Sequence, residues 1–221
     1  MLPNNNSLQL LPITEILDLA KFVVVENFKH HQKGEFDEQL NIDIHSIYKE
    51  ELHFFKNAKT FISKNIEGVI EGAIRVLKWN YFDLLPFEKI FGISPTEIIK
   101  NSINKPIWHI GRFAIKKGGN DINLFKTLMV CAIAPICNDK NAVALAECDS
   151  RLLKVLRILG IKATVVGDSV NYLGSETVPV CFFYDGLIDF YTKNKHIVSE
   201  SVLQKTDELD RLPKSVVLEV A

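Results

Sequence analysis

Residues Ile107–Asp121 read IWHIGRFAIKKGGND. Nine mostly apolar, strand-like residues hold a histidine and an arginine before the run breaks into Lys-Lys-Gly-Gly. Side chains alternate along a regular strand. Ile107, His109, Gly111, Phe113 and Ile115 then share one face, and Trp108, Ile110, Arg112 and Ala114 the other. A β-bulge changes that parity, and Gly111 permits one. With a bulge there, His109 and Arg112 face one cleft, and backbone N–H groups are left unpaired for a ligand. Without it, the two residues read as a structural arginine and a satisfied core histidine.

Working outward, the segment AKTFISKNIEGVIEGAIRVLKWN (58–80) reads as a β-hairpin, with strands Thr60–Ser63 and Val69–Lys78 around the turn Lys64–Gly68. Arg75 sits inside its second strand. An arginine among apolar residues either emerges into solvent on an edge strand or meets an anion. After the opening strand, Asn120 or Asp121 is placed to cap a helix over Ile122–Cys137. NAVALAEC (141–148) is a short strand, in which Ala142, Ala144, Ala146 and Cys148 make one face of small side chains. Such a face suits a packed helix or a narrow ligand. Ser150 is a candidate cap for the helix RLLKVLRILG, which ends on Gly160. IKATVVG (161–167) reads as a strand, Asp168–Ser175 as a turn-rich loop and VPVCFFYD (178–185) as a strand.

Toward the N-terminus, two helical segments follow from Thr14 and over Asp43–Phe55, and residues 1–12 read as a frayed start. Thr96–Asn101 suits one helical turn, and residues 196–221 have no clear assignment. The order predicts an α/β chain of the α+β type, with a mixed, mostly antiparallel sheet covered by helices on both faces. No repeat, low-complexity block or linker marks a boundary, so a single domain over 1–221 is expected.

Composition narrows the function. The 221 residues carry 26 Lys and Arg against 27 Asp and Glu, a balance that gives no whole-molecule attraction to nucleic acid. The longest apolar run, LMVCAIAPIC, has half the length of a membrane span, and the first residues lack a secretory pattern. Cys131, Cys137, Cys148 and Cys181 form no Cys-x-x-Cys and sit in apolar runs, as in a cytoplasmic protein. His30, His31, His45 and His53 lack the spacing of a zinc site, so no metal is expected. Neither Gly-x-Gly-x-x-Gly after a strand nor a P-loop is present, and no Ser or Cys sits at a nucleophile elbow.

Taken together, GAIRVL (72–77), IWHIGRFAI (107–115) and RILGIKATVVG (157–167) resemble the acyl-homoserine lactone (AHL) synthase-like branch of the GNAT superfamily, which also contains long-chain N-acyl amino acid synthases. Gly72, Arg75 and Val76 match its G-x-x-R-L strand, Arg112–Ile115 the core of its E-x-S-R-F-x-V strand, and Leu159–Gly160 its R-x-G helix end. The resemblance spans roughly Ala58–Asp185. It implies a GNAT-like sheet in which 107–115 and 142–148 splay apart around the donor's pantetheine arm. It also implies an N-acyltransferase moving an acyl group from a pantetheine thioester to the amine of a small acceptor such as an amino acid.

The donor-binding residues so implied are Phe113, Ala114, Ile115, Gly118, Gly119, Ala144 and Ala146, and the catalytic ones His109, Arg112 and Arg75. His109 is expected to accept the amine's proton. Phe113 and Ala114 N–H groups would polarise the thioester carbonyl, and Arg75 and Arg112 would bind an acceptor carboxylate or hold the site's loops. No permanently bound cofactor is expected. KKGGND departs from the pyrophosphate loop of CoA-binding members, which favours an acyl-carrier protein over acyl-CoA as co-substrate. His109 and Gly111 stand where the branch has Glu and Ser, so the resemblance does not extend to a homoserine lactone product. An acetyl-CoA-dependent N-acetyltransferase and a non-catalytic binding module of the same fold are the alternatives.

Overall fold

The computed structural model describes residues 7–31, 38–99, 105–118 and 121–207. Their strands form one eight-stranded sheet in which β1 (Ser7–Leu10), β2 (Ala58–Lys64), β3 (Ile70–Lys78), β4 (Ile107–Ile115), β5 (Val143–Asp149), β8 (Ser175–Phe183) and β6 (Thr164–Val165) lie in that order. β7 (Val170–Tyr172) also pairs with β8. β4 and β5 run parallel, and every other pairing is antiparallel. β3 is central and covered on both faces, which is why all of Ile70–Leu77 except Glu71 is buried.

One face carries α5 (Ile122–Asn138), with twelve buried residues from Leu124 to Cys137, flanked by α6 (Ser150–Ile158), α7 (Tyr184–Asn194) and α8 (Glu200–Asp207). Asp121 caps α5, accepting from the N–H groups of Asn123 and Leu124. The opposite face divides into two cores. α1 (Ile16–His31) and α2 (Glu38–Phe54) pack over Ile62, Ile70, Ala73 and Ala114, while Phe54, Leu85 and Phe87, the last from α3 (Pro86–Phe91), pack over Leu77, Ile107, Val143 and Leu145. α4 (Pro95–Ile98) is the short turn expected near Thr96.

The structure departs from the sequence reading at several places. The stretch expected to fray contains β1, whose residues pair with Phe61–Lys64. α2 begins at Glu38, five residues before the expected start. Asp149, not Ser150, caps α6, accepting from Arg151 and Leu152 N–H at 2.7 and 2.8 Å, because a carboxylate one residue earlier reaches both donors. Only Thr164–Val165 of IKATVVG is a strand, and the loop 168–175 contains β7. β8 ends at Phe183, and Tyr184 and Asp185, read as strand, open α7. Gly119, Asn120 and residues 208–221 lie outside the described residues.

The small-residue face of β5 packs against helices. Ala142, Ala144, Ala146 and Cys148 belong to the core beneath α5 and α6. Small side chains there let a helix that is apolar all round approach the sheet closely.

A backbone contact fixes α7 to the turn before β6. Lys162 N–H donates to Gly186 C=O at 3.0 Å, and a Cβ on Gly186 would stand 2.6 Å from Lys162 O. Gly186→Ala is therefore expected to lower stability by about 1–3 kcal/mol in urea unfolding with an unchanged m-value. A variant as stable as wild type would show that α7 can shift freely.

Candidate active site

Three adjacent strands set a row of polar side chains on the face that carries α1, α2 and α3. On β3, Arg75 lies between Ala73 and Leu77 on that face; Leu77 pairs with His109, and His109 with Leu145, two residues before Glu147. Arg75 is 0% exposed. A guanidinium stays protonated in a protein interior, so its burial demands anions. α2 supplies them: Arg75 Nη1 bonds to Glu51 Oε1 and stands 3.3 Å from Glu50 Oε1. The guanidinium carbon lies 5.7 Å from the Phe54 ring centroid, one turn further along α2.

The bulge falls one residue later than Gly111. Arg75 pairs with Gly111 but Ala73 with Ala114, so Arg112 and Phe113 together oppose Ile74. Arg112 takes the left-handed conformation, φ +56°, which costs a non-glycine residue about 1–2 kcal/mol. The resulting parity brings its side chain to the face of His109. There Arg112 Nε donates to Glu51 Oε1 at 2.7 Å and Nη2 bonds to Glu50 Oε1. This double clamp offsets the strain of the bulge. Burial works against ionisation of Arg112 and of Glu50. In each case the opposite charges beside it win, so Arg112 is held above and Glu50 below its ordinary value.

His109 is buried and uses both ring nitrogens. Nδ1 stands 3.3 Å from Arg75 Nη2, and a guanidinium only donates, so Nδ1 accepts. The ring proton is then on Nε2, which donates to Glu147 Oε1 at 2.8 Å. Tyr172, from β7, completes the cluster beside Arg112, and burial raises its phenol's pKa despite that neighbour. Glu147 and Tyr172 line a cavity; His109 stands behind Glu147.

That cavity opens where the sheet parts. β4 and β5 pair only from Ile107–Val143 to Ile110–Ala146; beyond that, β4 follows β3 and β5 follows β8. The gap is lined by Gly111, Arg112 and Phe113 on one side and Glu147, Cys148 and Asp149 on the other. It is polar toward Asn27, Tyr172 and Thr177, and apolar toward Met129, Leu156 and Phe182. Phe113 and Leu152 also line a larger outer cavity of about 470 Å³, with Ala114, Ile115, Lys116 and Gly118. Of the other expected donor-side residues, Ala146 lines the inner gap, whereas Ala144 is fully buried in the core. Burial and the carboxylates of Glu147 and Asp149 hold the Cys148 thiol protonated, and burial raises the thiols of Cys131, Cys137 and Cys181 to about 12.

Glu50, Glu51, Glu147 and Tyr172 were not singled out by the sequence. Glu50–Glu51 looks like a solvated helix face, and Glu147 like a strand-end charge. The available signal was the parity of β5, which sets Glu147 opposite the small face. Of the histidines considered for metal, His45 stacks on Tyr48 and His53 stands 3.5 Å from Asp83. Among the described residues, no three His, Cys, Asp or Glu side chains are grouped to hold a metal, and no helix is long and apolar enough to cross a membrane.

No protein-family model matches the sequence, and no curated protein matches it. Solved structures do. FeeM, an N-acyl amino acid synthase from uncultured soil microbes, is 16% identical with a TM-score of 0.57, over 87% of this chain and 98% of FeeM. TofI, solved in a ternary complex with an inhibitor and MTA, is 15% identical with a TM-score of 0.54, over 84% and 95%. The AHL synthase LasI is 14% identical with a TM-score of 0.53, over 86% and 96%. At these identities the likeness shows a shared fold, the GNAT-like sheet that the resemblance implied.

Two outcomes test the clamp. Glu51→Ala strips a nearly buried carboxylate from two guanidinium groups and is expected to cost about 3–5 kcal/mol in denaturant unfolding. Glu50 has a lowered folded-state pKa, so its contribution is fully present above its unfolded value of 4.5 and is lost as pH falls through the folded one. The stability difference between wild type and Glu50→Gln should thus be flat at neutral pH and shrink below pH 4.5. A difference unchanged in acid would contradict the assignment.

Proposed function

We propose that the protein is an N-acyltransferase that moves an acyl group from a pantetheine thioester to the nitrogen of a small amine. The observation that carries this reading is the parting of β4 and β5 beyond Ile110 and Ala146, with a carboxylate, Glu147, on the wall of the gap. An arm of amides threaded there would find the β5-side edge of β4 without a strand, so its own polar groups have backbone partners. The fold shared with an N-acyl amino acid synthase and an AHL synthase supports the same class.

The incoming nitrogen must shed a proton before it attacks. Glu147 is the group to take it, because both nitrogens of His109 are already engaged. His109 is then a positioning residue. Its Nε2–H orients Glu147, and Arg75 fixes the tautomer. The nitrogen lone pair forms the C–N bond, and the carbonyl becomes an oxyanion for which the Phe113 N–H beside the bulge is the proposed donor, since Ala114 pairs with Ala73 of β3. Collapse breaks the C–S bond, the departing thiolate takes the second proton still carried by the attacking nitrogen to leave a neutral amide, and the proton held at Glu147 is released to solvent.

The loop after β4 favours a carrier protein as donor. Lys117 N–H donates to Glu26 Oε2 at 2.7 Å, and Lys117 Nζ is tied to Lys29 O. A carboxylate thus occupies a loop N–H that a pyrophosphate would need, and its charge repels one. Half-exposed Lys116 and Lys29 lie on this side of the outer cavity, suited to an acidic carrier.

Glu147→Gln keeps the shape and removes the base. Its kcat for acylation of an amine panel, with acyl-carrier protein and acyl-CoA compared as donors, should fall about 10²–10⁴-fold while the melting curve stays unchanged. Full turnover in that variant would reject the base assignment. No transfer by the unaltered protein from either donor would reject the reading.

A further inference from the structure

The charge balance of the inner cavity specifies its acceptor. Among the described residues lining it, Arg112 is the one cation, while Glu147 and Asp149 are both acidic. Arg112 is committed to Glu50 and Glu51, and its side chain is only 8% exposed. Arg75 is committed to the same two carboxylates and is wholly buried behind the wall. The arginines expected to anchor an acceptor carboxylate therefore have their charge answered from α2. Asp149 Oδ1 receives two N–H groups at the start of α6. Glu147, 12% exposed, has as its partner a histidine whose tautomer is neutral.

We infer that the acceptor is a primary amine that enters as a cation and carries no carboxylate, with Glu147 as the residue that selects it. This deepens the acyltransferase reading and rests on it for the word acceptor. An ammonium beside Glu147 supplies the counter-charge that a neutral imidazole does not, and delivers its proton to the group placed to take it. In an α-amino acid the carboxylate is one carbon from that nitrogen. It would come close to Glu147 with no uncommitted cation among the described lining residues to receive it, and like charges so near one another in a partly buried site repel strongly. The wall toward Met129, Leu156 and Phe182 is apolar and offers a carboxylate nothing.

Three matched probes isolate the charge: isoamylamine, leucinamide and leucine share a side chain, and only leucine carries a carboxylate. Calorimetric titration of the unaltered protein without donor should show isoamylamine and leucinamide binding at least about tenfold more tightly than leucine. Glu147→Gln should erase that gap while retaining its melting curve. Leucine binding as well as the other two, leucinamide as poor as leucine, or binding of none of the three overturns the inference, with or without the variant. Acyl transfer, assayed separately, keeps the two readings apart. An amino acid acylated in preference to the amines rejects the cationic acceptor and leaves the acyltransferase standing. The expected binding order with no transfer from either donor does the reverse.

Discussion

A guanidinium with no solvent contact is the constraint on which this structure turns. Arg75 sits in the central strand of a sheet covered on both faces, 0% exposed, and it cannot shed its charge. Two adjacent glutamates of α2 must therefore lie against that face of the sheet, which fixes the position of a helix contributed by a distant part of the chain. With those carboxylates in place, a second arginine can be accommodated. Arg112 turns its backbone into the left-handed region to reach them. The bulge, the roof helix and the buried charge are one arrangement, joined through Glu50 and Glu51.

The same arrangement reaches the gap between β4 and β5. The bulge ends the regular run of β4 and lets it follow β3 while β5 turns with β8. Arg75 holds one nitrogen of His109, which forces the other to point its proton at Glu147. A carboxylate on the wall of the gap is thereby set by contacts that begin two strands away. The polar row divides the apolar core of that face in two, with α1 and most of α2 on one side and Phe54 with the α3 region on the other. That division is the cost of placing charge inside the sheet, and it positions the site between the two cores.

Much of this was legible in the sequence, and the rest was hidden for definite reasons. The hairpin, β4, α5 and the start of β5 follow from apolar periodicity and from Asp and Gly at helix ends, which are local signals. The need for a bulge followed from two polar residues of opposite parity in one strand. Its place did not, because the glycine permits a bulge but the carboxylates on α2 choose Arg112. α7 was missed because Phe183, Tyr184 and Asp185 continue a β-like run, and only the packing of Leu187, Phe190 and Tyr191 shows a helix. β1 was missed because its alternation, Ser7-Leu8-Gln9-Leu10, spans only four residues.

The sequence by itself determined most of the elements and their order, the two arginines and the histidine that had to be explained, and, through its resemblance, the fold. Those are properties of neighbouring residues and of spacing, which a chain carries whether folded or not. Only the tertiary structure decided which charges face one another. Glu50 and Glu51 lie at least 24 residues before the arginines they neutralise, and Glu147 lies 38 residues after the histidine that orients it. No local pattern marks such partners, because the burial that makes a charge need them exists only once the sheet has closed over it.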